Sequence, residues 1–118
     1  MILIFAAIMF ALGALGGLVM AVKSFSGRPI HVVFAAGHGI LGGAGLVLLI
    51  VGVLTGSGGG MTRAALVILV TAALGGLYLL SYHFRKAQHP RAVILVHALV
   101  ALTGILTLLA AILQNSST

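Results

Sequence analysis

Four apolar stretches without a single charge, residues 2–22, 32–54, 64–82 and 92–113, take up most of this 118-residue chain. Each has the length, roughly 17–25 residues, that crosses a ~30 Å hydrocarbon core. Water is absent at that depth, so every backbone N–H and C=O must bond within its own segment, and the stretches are predicted to be helices. The chain opens "MILIFAAIMF" rather than with the basic region and short apolar core of a secretory signal, which predicts a retained first span. Only 5% of residues are charged and 62% are hydrophobic, against roughly 25% charged in ordinary soluble domains. The expected fold is all-α: an integral membrane four-helix up-and-down bundle, one transmembrane domain over residues 1–118.

The cations orient it. Lys23 and Arg28 fall between the first two stretches, and Arg85, Lys86 and Arg91 between the last two. Helices that alternate in direction place both loops on one side, while the other side carries Arg63 beside the glycine-rich "TGSGGGMTR". Short loops rich in Lys and Arg stay cytoplasmic. The expectation is a bacterial inner membrane, with both termini facing the periplasm.

A two-helix unit occurs twice. At an offset of 59 residues, "ALGGL" at 14–18 returns at 73–77, His38 meets His97 and Gly45 meets Gly104. The repeat halves are residues 1–57 and 58–118. Each unit returns the chain to its starting side, so the copies are related by a pseudo-twofold axis along the membrane normal. In such a bundle helices 2 and 4 lie on a diagonal. If His38 faces the axis, so does His97.

Depth agrees with symmetry. His38 follows Pro29 by nine residues and His97 follows Pro90 by seven, roughly 10–14 Å below the basic side at 1.5 Å per residue. Gly16, Gly17, Gly75 and Gly76 lie at a similar depth on helices 1 and 3. Polar residues inside a membrane face the bundle interior and mark function. Two opposed imidazoles suit the axial positions of one haem b iron. The four glycines are then expected to admit the macrocycle edges, while Gly42, Gly45 and Gly104, on the histidine faces at i+4 or i+7, clear the space above each ring. Arg28 and Arg91 are candidates for the propionates. Thr71, Thr103 and Thr107 are candidates for the second nitrogen of each imidazole. Two other readings of the layer stay open: another pigment or metal, such as chlorophyll, or close packing through small residues with interhelical hydrogen bonds. Gly13 with Gly17, and Gly39 with Gly43, form the GxxxG spacing of such packing.

The "GHG" at 37–39 and "VHA" at 96–98, with the glycine pairs of helices 1 and 3, resemble the four-helix b-type cytochromes, such as the cytochrome b561 group. The resemblance implies haem bound between helices 2 and 4 and electron transfer with a quinone or a redox subunit. Members with two haems need a second histidine pair near the other face. The outer half of this chain has no histidine, so the resemblance extends to one haem.

Other functions find little support. The chain has no Asp, Glu or Cys, which removes acid–base carboxylates, thiols and c-type haem attachment. "GSGGG" at 56–60 lacks the Lys-Ser/Thr of a P-loop. The +6 charge is split between short loops rather than gathered into a nucleic-acid-binding face. A small duplicated transporter is disfavoured because no carboxylate is present to couple protons or cations. An accessory subunit of a larger respiratory or photosynthetic complex, or a homo-oligomer, is the alternative to an independent cytochrome. His31, His83 and His89 are read as interfacial and water-exposed. Tyr78, Tyr82 and Phe84 are read as an interfacial aromatic belt.

Overall fold

Each apolar stretch is a helix in the computed structural model, which describes residues 1–117. The elements are α1 (Ile2–Phe25), α2 (Val32–Leu54), α3 (Gly60–Phe84) and α4 (Arg91–Ser116), with no strand among the described residues. All four are long and apolar enough to cross a membrane. α2 has the bounds expected from the sequence. The others extend past their uncharged stretches: α1 through Lys23 to Phe25, α3 back beyond Arg63, and α4 outward at both ends. A charge ends an apolar run but does not end a helix, since Lys and Arg keep their heads in water while their stems stay apolar.

Three helix ends close in the same way. The N–H groups of Arg28, Ser57 and Ala87 each bond the carbonyl five residues back, on Lys23, Gly52 and Tyr82, as in a Schellman turn. That turn needs a left-handed residue, supplied by Gly27 (φ 70°) and Gly56 (φ 81°), and after α3 by Lys86 (φ 51°).

The bundle is 47 Å long and 22 by 19 Å across. α1 packs on α2 and α4, and α3 packs on α4 and α2, while the diagonal pairs α1/α3 and α2/α4 make no backbone approach among the described residues. Contact is far more extensive inside each hairpin, α1–α2 or α3–α4, than between the hairpins. The core is concentrated toward the end that holds the termini: Leu3, Ala6, Ala7, Phe10, Leu49, Ala65, Leu69 and Leu108 are buried together. Thr62 is fully buried there, and its hydroxyl has no hydrogen-bond partner among the described residues. Most other large apolar side chains face outward, as a lipid-facing surface requires.

Candidate functional site

His38 on α2 and His97 on α4 are both partly buried inside the bundle. Their Nδ1 atoms lie 2.8 Å from the carbonyl oxygens of Gly13 and Ala72 respectively. A carbonyl oxygen only accepts, so each Nδ1 carries the proton and donates it. Both acceptors lie 25 residues before their histidine and are themselves 59 positions apart, so the repeat offset holds at the level of single bonds. A helical carbonyl already bonds the N–H four residues on but keeps a second lone pair. Side chains at i+3 and i+4, tilted toward the helix N-terminus, normally crowd it. For Gly13 those positions are Gly16 and Gly17, and for Ala72 they are Gly75 and Gly76. The glycine pairs leave the carbonyl open to an imidazole.

The seating is close. A Cβ on Gly17 would lie 2.9 Å from Cε1 of His38, and one on Gly76 would lie 3.2 Å from Cε1 of His97. Gly16 and Gly75 leave more room, 3.9 Å to Cβ of His38 and 3.6 Å to Nδ1 of His97. The space beside α1 and α3 is therefore taken by the imidazoles themselves, not by an open slot for macrocycle edges as expected from the sequence.

Across the bundle the two rings meet edge to face, with centroids 6.1 Å apart and planes at 83°. With Nδ1 protonated, each Nε2 keeps its lone pair, the tautomer a metal-binding imidazole needs. Two imidazoles on opposite sides of one metal ion have ring centres about 6.3 Å apart, given metal–nitrogen bonds of roughly 2 Å. The spacing thus suits one shared ion. Among the described residues no group of three His, Cys, Asp or Glu could hold a metal, so a bare ion would find only these two side-chain ligands. Haem brings four nitrogens of its own and asks the protein only for the axial pair. The donor set, two imidazoles with unprotonated Nε2, is of the kind haem takes from a protein.

Other predicted residues are placed differently. Gly45 and Gly104 do not border the histidines: a Cβ there would meet the Phe10 ring at 3.1 Å and Leu69 Cγ at 2.6 Å, so both receive core side chains from the neighbouring helix. Gly42 presents its amide nitrogen to Gly13, 3.5 Å from where a Cβ on Gly13 would stand. The hydroxyls of Thr71, Thr103 and Thr107 donate to carbonyls of their own helices, on Val67, Leu99 and Thr103. They do not reach the histidines, because the exposed carbonyls have taken that role. The Arg91 guanidinium lies 5.5 Å from the Phe25 ring centre, tying α4 to α1, and Lys23 Nζ lies 4.8 Å from that of Phe34. Arg28 stands exposed in the turn after α1.

His31 is the exposed N-cap residue of α2. His83, expected in a loop, belongs to the last turn of α3 and pairs with His89 at 6.4 Å between ring centres. Burial, then the neighbouring His83, hold the His89 imidazole below its ordinary pKa. No family model, curated protein or solved structure matches the chain.

Proposed function

We propose that this protein is a mono-haem membrane cytochrome b, in which His38 and His97 would hold one haem b. The observation that carries this reading is the imidazole pair, with ring centres 6.1 Å apart and planes at 83°, each Nδ1 tied to a backbone carbonyl. When bound, haem supplies one-electron chemistry at its iron, with a potential set by axial ligands and their hydrogen bonds. Gly13 and Ala72 hold the imidazole planes and raise the basicity of Nε2 through the bond at Nδ1. Gly17 and Gly76, where a Cβ would press on the ring, keep those carbonyls accessible, while Gly16 and Gly75 leave ordinary clearance beside them. The apolar helices exclude water from the layer. In this reading the basic loops face the cytoplasm of a bacterial cell, Arg28 and Arg91 serve the propionates, and a quinone or redox subunit exchanges electrons at that side. One haem near one face does not span the bilayer, which makes the protein a carrier or subunit rather than a complete transmembrane wire.

Titration of the detergent-purified protein with haemin tests the reading. The expected result is saturation at one haem per chain, with binding abolished in both His38→Ala and His97→Ala. A protein that takes up no haem, or takes it up equally well in both variants, rules the reading out.

A second reading, an accessory subunit of a larger membrane complex, is favoured by one observation. Gly39 and Gly43 sit on the exposed side of α2, and a Cβ on either would meet nothing within 4 Å. That GxxxG surface is free for another helix. Copurification of large membrane subunits with a colourless protein would support this reading over the first.

A further inference from the structure

We propose that the basic end of α3 binds a phosphate group, presented at the membrane surface, through Arg85 with Tyr82, His83 and His89. The guanidinium is already positioned. Nε of Arg85 donates to the Ser81 carbonyl at 3.3 Å, Nη2 bonds Ser81 Oγ at 3.1 Å, and Cζ lies 4.3 Å from the Tyr82 ring centre. These contacts occupy one edge and one face of the fork. The Nη1 donors take part in neither of these hydrogen bonds. Tyr82 shares a hydrogen bond with Tyr78, 3.0 Å between hydroxyls. His89 folds back so that its ring centre is 6.2 Å from Tyr82 and 6.4 Å from His83.

Electrostatics selects the ligand. Arg85, Lys86 and two histidines are drawn together in a chain with no acidic side chain. The negative end of the α3 dipole, about half a charge, offsets only part of this. Burial first, and then the neighbouring His83, hold the His89 imidazole below its ordinary pKa. A divalent metal ion is disfavoured by the same surroundings. Arginine in a fixed fork beside imidazole and phenol donors is chemistry suited to phosphate.

Topology alone does not account for the cluster. At the 59-residue offset, Tyr78, Tyr82, His83, Arg85 and His89 correspond to Val19, Lys23, Ser24, Ser26 and Ile30. The first hairpin therefore carries basic residues of its own without any of this construction. The site lies at the end of a membrane-crossing helix, where lipid phosphates lie. A lipid headgroup and free phosphate share the recognised chemistry.

The test exploits composition. The chain has two tyrosines and no tryptophan, so its intrinsic emission reports on Tyr78 and Tyr82 alone. The full chain in phosphatidylcholine nanodiscs is titrated with phosphatidic acid, and in neutral detergent with inorganic phosphate. A saturable emission change with the lipid alone assigns a headgroup, and one with inorganic phosphate assigns free phosphate. In either case Arg85→Gln is expected to weaken binding about tenfold or more and Arg85→Lys by less, since it keeps the charge but loses the fork. Arg63→Gln, on the opposite face, leaves binding unchanged. Far-UV helicity establishes that the variants are folded. No saturable change with either titrant, or affinity within twofold in folded Arg85→Gln, overturns the proposal.

Discussion

Gly17 and Gly76 are where the absence of a side chain has the largest local consequence. Gly17→Ala places a Cβ 2.9 Å from the His38 ring and is expected to cost about 1–3 kcal/mol through displaced packing, with Gly76→Ala costing less at 3.2 Å. Gly16→Ala, with 3.9 Å of clearance, is expected to be neutral or to stabilise the helix by up to about 1 kcal/mol. Thermal unfolding in detergent ranks the three, and ¹⁵N NMR of the imidazoles checks that the Nδ1–H tautomer persists in Gly16→Ala and is disturbed in Gly17→Ala. Thr62→Val removes a buried hydroxyl that has no partner among the described residues at nearly constant shape, and is expected to raise stability by about 1 kcal/mol. A lower melting temperature for Thr62→Val would show that the hydroxyl has a role. At this scale the sequence displays the histidines and glycine pairs but not the carbonyls that join them, because a backbone acceptor has no letter of its own. The clue lay in spacing: Gly13 and Ala72 stand three and four residues before the glycine pairs.

The elements were largely legible, because an uncharged apolar segment of this length has one way to satisfy its backbone in lipid. What sequence could not distinguish was which neighbour each glycine faces. Gly45 and Gly104 share a helix face with the histidines by periodicity, yet they receive Phe10 and Leu69, since neighbouring helices supply knobs that helical spacing does not specify. Gly104→Ala therefore acts on the α3–α4 seam. With Leu69 Cγ 2.6 Å from the new Cβ, a loss of about 1–3 kcal/mol is expected, read as a lower melting temperature. At the end of α3, Lys86 holds a left-handed conformation that costs a side-chain-bearing residue roughly 1–2 kcal/mol. Lys86→Gly is expected to recover part of it, and a melting temperature below that of the wild type would contradict the turn geometry.

The whole molecule consists of two hairpins, each holding its own histidine against its own first helix, with the rings meeting where the hairpins join. Its response to pH is expected at the basic end. The folded state holds His89 below its ordinary value, so above about pH 6.5 the imidazole is neutral in both folded and unfolded chains. Below that, the unfolded chain takes up the proton first, and stability falls as pH falls toward the folded value. Melting temperatures from pH 8 to 5.5 should show this decline, and His89→Asn should flatten it. The pairing of His38 with His97 is tested most directly by electron paramagnetic resonance of the haem-loaded ferric protein. Perpendicular ligand planes leave two iron d orbitals nearly equal in energy, so the 83° ring geometry predicts a strongly anisotropic low-spin signal with one very large g value. A high-spin signal, or the rhombic low-spin signal of parallel rings, would contradict it.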